Sequence, residues 1–429
     1  MNPLHRMNFT NTLYTNDNLF ILYGMNSNLV DLIYLDPPFN SKRTYSAPIG
    51  SKAAGASFKD MWTWEDVNEA YLETLAEKYP LLTKYIATIG GLHSKAMMAY
   101  LTYMSQRLIE MHRVLKDTGS IYLHCDPTAS HYMKAVLDEI FGKDNFRNEI
   151  IWHYGQRTAF HKQHFSRKHD TILFYSKSDK SFFGKVSTTW DRERFLSNRH
   201  DVMVDDDGQA YIWSDGGKRG IRYKRYVSEV LEVGKPLDSV WDIPILNSAA
   251  KERTGYPTQK PLALLHRIIK ASSKEGDIVF DPFCGCATTC VAAQQLGRKW
   301  IGIDIEKQAV NVLVARLSDD AGLFQDFVST AIVPKRTDVV EELPSTSIKE
   351  RLYRGQDGLC NACKTKFDIW NLETDHIIPT SKGGGDYYEN YQLLCGSCNR
   401  IKGDRPMEYL RLKIKTREEM MANKVIFGE

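Results

Sequence analysis

Several features that would fix a protein's class at a glance are missing from this chain of 429 residues. No run approaches the ~18 consecutive apolar residues of a membrane span. The start, Met1-Asn2-Pro3-Leu4-His5, lacks the basic-then-apolar layout of a secretion signal. A cytosolic setting is the expectation. The net charge is only +3, so no global basic field exists and any surface for a polyanion must be local. No internal repeat or low-complexity tract is present, which sets aside repeat architectures. Cysteine is sparse. Four of the eight form two Cys-x-x-Cys pairs near the C-terminus, and Cys284, Cys286 and Cys290 cluster. In a reducing compartment the paired set reads as a metal site rather than a disulfide framework.

The length predicts two to three domains of ~100–200 residues. Coarse periodicity gives alternating strands and helices to about residue 325. Leu101, Met104, Leu108, Met111 and Leu115 share one helical face, with Gly119 expected to end that helix. Strands are expected at 120–124, 172–175, 278–280 and 301–303, and a further helix over 131–141. Such alternation predicts an α/β fold, a doubly wound, mostly parallel sheet covered on both faces. Residues 152 to about 250 break the rhythm, being rich in aromatic, basic and polar residues. Residues 326–347, with Pro334-Lys335-Arg336, Glu341-Glu342 and Pro344, read as a linker. A compact module bearing Cys and Gly follows over 348–412, then a tail over 413–429.

The most informative stretch is the apolar run Val30–Leu35, which stops at Asp36-Pro37-Pro38-Phe39-Asn40. A buried strand there delivers a carboxylate, two prolines and an aromatic ring. Proline fixes φ and lacks an N–H, so the carbonyls around Asp36 and Pro37 are held outward instead of joining a ladder. Acceptors on a rigid turn beside a flat ring suit a planar heterocycle with an amino group. Taken alone, the segment reads equally well as a plain turn.

A second segment carries a nucleotide-cofactor pattern. A strand ends at Asp281, and Pro282-Phe283-Cys284-Gly285-Cys286-Ala287-Thr288-Thr289 leads into a helix rich in Ala and Val. Small residues in a strand-to-helix turn let the backbone approach a ligand. Asp304 ends the next strand, where an acid can grip ribose hydroxyls.

With Asp36-Pro37-Pro38-Phe39 preceding Asp281-Pro282-Phe283-Cys284-Gly285, the chain resembles the permuted class of S-adenosylmethionine-dependent DNA amino-methyltransferases. Tyr256-Pro257-Thr258-Gln259-Lys260-Pro261, residues 119–126 and 169–175 are also similar, so the resemblance covers roughly residues 10–320. It implies a Rossmann-like methyltransferase domain over 1–325. Phe283 and Gly285 would pack against the cofactor and Asp304 would bind its ribose. Thr258 and Lys260 would lie near its methionine carboxylate, and Asp17 near its adenine. Ala287 stands where a glycine is usual.

Methylating an exocyclic amine needs no covalent nucleophile. Asp36 and the Pro37 carbonyl would accept the amino hydrogens and localise the lone pair, while Pro38 stiffens the turn and Phe39 stacks on a base rotated out of the duplex. Methylation at a cytosine ring carbon would require a Pro-Cys nucleophile, and no cysteine here follows a proline. The initial Asp resembles adenine-modifying members, with N4 of cytosine as the alternative. Between the two motifs, where the class keeps its target-recognition region, 156–168 and 218–226 interleave basic, amide and aromatic residues. Lys and Arg there would neutralise phosphates, and Arg and Gln would read base edges. The other reading is a pair of solvated loops.

In the C-terminal module, Cys360-x-x-Cys363 and Cys395-x-x-Cys398 supply four thiolates for one structural zinc. Between and beyond them come Asp375-His376-Ile377-Ile378-Pro379, Gly383-Gly384-Gly385, Asn390 and Asn399. This resembles an HNH nuclease of the zinc-stapled ββα-metal kind over roughly 349–406. The resemblance implies His376 as general base, Asp375 and Asn399 as ligands of Mg²⁺ or Mn²⁺, Asn390 as an ordering residue and Lys402 as a phosphate contact. Asn399 replaces a histidine, and its carbonyl oxygen suits a hard cation.

The combined expectation is an N6-adenine DNA methyltransferase joined to a nuclease for restriction-modification in a prokaryote or phage. Double-stranded DNA is the partner, no membrane is involved, and a homodimer is the assembly to test. The alternatives are a methyltransferase whose second module only binds DNA, and a non-catalytic DNA-binding protein on a methylase scaffold.

Overall fold

The computed structural model describes residues 10–39, 43–47, 51, 57–60, 75, 76, 78–155, 160–215, 222–247, 249–306, 308–321, 327–338, 345–382, 384–386, 388–405, 407, 409–411, 413, 414 and 416. Asn40, residues 156–159 and 218–221, Glu341, Glu342, Pro344 and Gly383, all invoked above, lie outside that set, as do 1–9 and 417–429.

Nine strands form the central sheet: β1 (Thr12–Tyr14), β2 (Val30–Leu35), β3 (Leu115–Cys125), β4 (Phe146–His153), β5 (His169–Ser176), β6 (Val240–Asp242), β7 (Ile278–Asp281), β8 (Lys299–Ile303) and β9 (Val328–Thr330). Their spatial order is β6-β4-β5-β3-β2-β7-β8-β1-β9. β5 runs antiparallel to both neighbours, and every other pairing is parallel. The two key motifs leave adjacent strands, because β2 pairs directly with β7. Their C-terminal ends therefore open onto one crevice, the usual ligand position of an open parallel sheet.

Alternation along β2 explains why the strand reads as a continuous apolar run. Ile33 and Leu35 enter one core with Leu101, Met104 and Leu108, while Leu32 and Tyr34 enter the other with Leu264 and Ile268. Both faces are covered, and each such side chain contributes about 1.5–3 kcal/mol of burial. The predicted helix is Lys95–Val114, capped by Ser94, whose Oγ accepts from Met97 N at 3.1 Å. Gly119 does not end it. The chain turns directly into β3 at Leu115, and Gly119 lies inside that strand, packed against the Leu115 side chain.

The segment expected as a linker is partly built into the larger domain. β9 extends the sheet edge beside β1, Val333 is buried, and Ser27 donates to Asp338 Oδ2 through both N (3.1 Å) and Oγ (2.6 Å). A Cβ on Gly24 would lie within 1.9 Å of the Pro334 carbonyl oxygen, so only glycine permits this approach.

Residues 152–250 also divide. β5 and β6 belong to the central sheet, whereas Met203–Val204, Ala210–Asp215 and Arg222–Tyr226 form a separate three-stranded sheet. Its small core holds Phe195, Ile212, Val227 and Val230. The C-terminal module comprises a helix at Ser345–Gly355, the hairpin β10 (Leu372–His376) and β11 (Tyr391–Cys395), and a helix at Gly396–Lys402. Among the described residues, apolar packing joins it to the larger domain at two places. Phe20 packs on the module's core, and Ile378 joins the core of the larger domain. No helix among the described residues is long and apolar enough to cross a membrane.

Candidate functional site

A cavity of about 270 Å³ lies at the ends of β2, β7 and β8. Its walls include Asp17, Asp36, Pro37, Pro38, Phe39, Thr258, Lys260, Asp281, Phe283, Gly285 and Asp304. The expected transfer and cofactor residues of the larger domain, scattered over almost 290 positions, are thus brought to one place.

Its cofactor end is a cradle held by carboxylates. Asp281 Oδ1 accepts from Phe283 N at 3.1 Å and its Oδ2 accepts from Thr289 Oγ1 at 2.5 Å. Asp304 accepts from Gly285 N and Glu306 N, both at 2.8 Å. Burial pushes both carboxyls up to about 7, against the opposing pull of these hydrogen bonds. Gly285 has φ +50°, and a Cβ there would come within 3.0 Å of the Tyr256 ring. Ala287 holds the same left-handed conformation at φ +56°. The open cradle, the apolar rings of Phe283 and Tyr256, and acceptors with lone pairs to spare on Asp304 and Asp17 fit an adenosyl cofactor.

Asp17 has an additional duty. It caps the helix Asn18–Gly24 by accepting from Leu19 N at 2.8 Å. Arg107, buried and placed over the Tyr103 ring, donates to Asp17 Oδ1 (2.8 Å) and Asn18 Oδ1 (2.6 Å). Asn18 in turn donates to the Pro282 carbonyl at 2.8 Å. Arg107 thereby ties the helix start to the cofactor turn. Sequence reading did not find it, because a lone arginine in an amphipathic helix carries no pattern.

At the other end of the cavity stands Asp36. Lys260 Nζ donates to its Oδ2 at 2.5 Å and to the Thr258 carbonyl at 3.4 Å. Lys260 is therefore bonded to the catalytic-motif carboxylate in this structure, a contact the motif alone did not suggest. Asp36 Oδ1 is buried and has no hydrogen-bond partner among the described residues. A buried acceptor without a donor is costly, by ~1–3 kcal/mol, so it marks where a donor is to be supplied. Phe39 stacks on His124, with centroids 5.9 Å apart and planes at 27°.

Phe160 and Phe165 are fully exposed beside His161, Lys162, His164, Arg167 and Lys168. Unburied aromatics among cations have the chemistry of a nucleic-acid surface. Arg222, Tyr223 and Lys224 lie exposed along the strand of the small sheet.

In the second module the Sγ atoms of Cys360, Cys363, Cys395 and Cys398 all lie within 4.8 Å of one another, a set that fits one tetrahedral Zn²⁺. Alternation along β10 sends Glu373 and Asp375 to one face and His376 to the other. Asn390 Oδ1 accepts from Ile378 N (2.8 Å), and its amide nitrogen donates to the Ile378 and Gly385 carbonyls, ordering the loop after His376. Asp375 accepts from Gln392 Nε2 (2.8 Å) and pairs with Lys402 Nζ (3.0 Å). Lys402 is 0% exposed and also donates to the His376 carbonyl at 2.8 Å. Lys402, expected as a phosphate contact, thus lies buried against Asp375 in this structure and not at the surface. Asn399 Nδ2 donates to Glu373 Oε2 at 2.6 Å, which leaves its carbonyl oxygen outside that bond. Asp375, Glu373 and Asn399 each carry oxygen atoms of the kind hard cations accept. His376 Nε2 meets Asp386 Oδ1 at 2.8 Å, and Tyr391 donates to the same oxygen at 2.8 Å. The His376 contact in turn lowers the Asp386 carboxyl. Glu373 and Asp386 carry no spacing signal and were not singled out from sequence.

Comparison with known proteins agrees with this geometry. A model of the DNA methylase family matches residues 30–315, and a model of HNH endonucleases matches residues 360–405. The chain is 30% identical over 297 residues to the Type II methyltransferase M.EcaI of Enterobacter cloacae, a match covering 59% of this chain and 64% of that protein. It is 27% identical over 316 residues to the DNA adenine methyltransferase YhdJ of Escherichia coli (strain K12), covering 73% and 85%. It is 32% identical over 221 residues to the Type II methyltransferase M.HpaI of Haemophilus parainfluenzae, covering 52% and 60%. The alignments thus span less than two thirds of M.EcaI and M.HpaI. The methylase match takes in more than half of the chain and contains the cavity wall apart from Asn16, Asp17 and Asn18; the protein belongs to the DNA methylase family and carries an HNH endonuclease module behind it.

Proposed function

We propose that the protein methylates the N6 amine of adenine at a specific DNA sequence, and that its HNH module cleaves DNA, the pair acting in restriction-modification. The observation that carries the first part is the Asp36 carboxylate, with one oxygen held by Lys260 and the other buried at the cavity without a donor among the described residues. S-adenosylmethionine, when bound, supplies an electrophilic methyl group. Asp17, Thr258, Asp281, Phe283, Gly285 and Asp304 would hold it. The chain's own work is positional and electrostatic. The lysine ammonium fixes Asp36 so that Oδ1 accepts one amino hydrogen, and the Pro37 carbonyl accepts the other. Both bonds strengthen as the nitrogen becomes tetrahedral and positive, which is how they favour the transition state over the bound base. Phe39 stacks on the extruded ring. Adenine is preferred over cytosine from the initial Asp of the motif and from similarity to a relative named as an adenine methyltransferase.

For cleavage, Asp386 fixes His376 with its proton on Nε2, leaving the Nδ1 lone pair to take a proton from water. A divalent ion at Asp375 and Asn399 would supply positive charge at the scissile phosphate. A second reading, an HNH module that only binds DNA, draws support from the ion pair that Lys402 makes with Asp375. We assign residues 1–325 to methylation, 348–412 to the nuclease and the segment between them to a partly docked connector. The bacterial or phage-infected cytoplasm is the proposed compartment. Size-exclusion chromatography with and without DNA tests the homodimer.

Genomic DNA incubated with labelled cofactor and digested to nucleosides should yield N6-methyladenine with the wild type and none with Asp36→Ala, which should still bind cofactor. Label only in cytosine would overturn the adenine assignment. Supercoiled plasmids with Mn²⁺ should be cut by the wild type and spared by His376→Ala. Equal survival across methylated and unmethylated plasmids would leave the binding-only reading standing.

A further inference from the structure

Beneath the ring of Phe39 lies a buried polar relay that the transfer chemistry above does not use. His124, at the end of β3, is 0% exposed. Its Nδ1 lies 3.1 Å from Tyr34 Oη, and its Nε2 lies 3.0 Å from Asp170 Oδ2. Tyr154 donates to the other oxygen of Asp170 at 3.1 Å. The edge of Trp152 meets the imidazole at 5.5 Å and 82°, and Phe39 covers it at 27°. Three strands contribute: Tyr34 from β2, His124 from β3 and Asp170 from β5.

The arrangement determines the ring's state. Ionised Asp170 only accepts, so His124 Nε2 donates. Tyr34 is wholly enclosed and keeps its proton, because burial above all, and then the nearby carboxylates, push its phenol well up. Its hydroxyl therefore donates to Nδ1. Both edges of the imidazole are fixed, and it cannot rotate about its own axis. The face that remains is the one that Phe39 lies on. Phe39 follows two prolines on a turn, and the Lys260 ammonium lies 5.9 Å from its ring centroid.

We infer that His124, tethered by Asp170 and Tyr34, is a positioning residue that sets the plane of Phe39 and so the angle at which the extruded base presents its amine to Asp36. The inference rests on the methyltransferase reading. A rigid floor matters because a displacement near 1 Å at a transfer site can cost on the order of a hundredfold in rate. The histidine contributes an aromatic face, and its hydrogen bonds hold that face still.

The test uses the full chain. His124→Gln keeps an amide able to bond Asp170 and Tyr34 but removes the ring, whereas Asp170→Asn keeps the ring and weakens its tether. A duplex carrying the methylated site found by sequencing, with 2-aminopurine in place of the target base, reports stacking through its emission. For His124→Gln the expected result is a kcat lower by about tenfold to a hundredfold. KM for DNA and the cofactor Kd should stay within about twofold of wild type, with brighter emission from a base no longer held against Phe39. Asp170→Asn should show the same changes to a smaller degree. Wild-type kcat and emission in both variants would overturn the inference, as would a loss confined to melting temperature and cofactor affinity. If His124→Gln does not fold, the Asp170→Asn result decides alone. An inactive wild type would instead overturn the underlying reading, so the two failures are distinguishable.

Discussion

The two candidate active centres of this chain sit on very different supports. At the candidate transfer site the Asp36 carboxylate has one oxygen bonded and one without a partner among the described residues, and the surrounding groups come from a nine-stranded sheet with a core on each face. At the candidate nuclease site Asp375 is paired with a buried lysine, Asn399 is bonded to Glu373 and His376 to Asp386, on a hairpin, its connecting loop and one short helix around a small core. The first centre is prepared for a substrate by leaving an acceptor unsatisfied. The second is satisfied within itself, and a metal or water must compete with partners already in place. The difference follows from size: a large sheet tolerates an orphaned acceptor, whereas a module of some sixty residues has little stability to set against one.

The largest expected effect removes the support from one side of this comparison only. A structural zinc site contributes on the order of 10 kcal/mol to a small domain. Chelation, or Cys395→Ser, should therefore unfold the nuclease module and abolish plasmid cleavage while methylation persists. Circular dichroism and both activity assays check it. If methylation is lost as well, the contacts of Phe20 and Ile378 across the two domains carry more than their number suggests.

Next in size is the Lys402–Asp375 pair. Removing one member of a buried pair costs about 3–5 kcal/mol, because the other charge is stranded. Lys402→Met should destabilise the module without metal, and millimolar Mn²⁺ should restore more stability to this variant than to the wild type. An equal response of both proteins to Mn²⁺ would show that Asp375 is not a metal ligand.

Sequence reading recovered one centre more completely than the other, and the reason is physical. Asp36, Asp281 and Asp304 each close an apolar strand, and the rule that ligands bind beyond the C-terminal ends of parallel strands joins them without coordinates. The helix 95–114 and the strands around it were legible from periodicity for the same reason. Pairings between distant side chains were not. Nothing in the spacing of Lys260 and Asp36, Arg107 and Asp17, or His376 and Asp386 encodes their contact, because each depends on how separate elements pack. Nor does the spacing of Lys402, expected by resemblance to meet phosphate, encode its burial against Asp375. Gly119 was misread because glycine suggests a helix stop, whereas here it makes room for Leu115 inside a strand.

A subtler contrast concerns pH. Asp281 and Asp304 titrate near 7 in the fold, raised by burial from the ordinary carboxylate range near 4. A folded-state value above the unfolded one favours the protonated form. That contribution to stability is fully present below about pH 4 and is lost as pH rises through about 7. The cofactor-free protein should accordingly lose more melting temperature than Asp304→Asn between about pH 5 and about pH 8. Cofactor should narrow that gap by giving the ionised acid donors. At the nuclease site Asp386 is lowered by His376, so its sign is opposite, and its small exposed pair should add little.

The smallest effect is expected at Ala287, the position where relatives of this type would be expected to carry glycine. Its φ of +56° costs an L-residue about 1–2 kcal/mol, which glycine would relieve. Against that, Ala287→Gly loses a fully buried methyl worth about 0.8 kcal/mol and adds chain entropy to the unfolded state worth about 0.5–1 kcal/mol. The terms nearly cancel, so melting temperature should scarcely move and cofactor Kd should change by less than about fivefold. A large gain in either would mean that the turn is strained by its alanine and that the transfer site is less prepared than its open acceptor implies. A null result would place that preparation in the carboxylates of Asp281 and Asp304 that hold the turn, and not in the residue that gives it its shape.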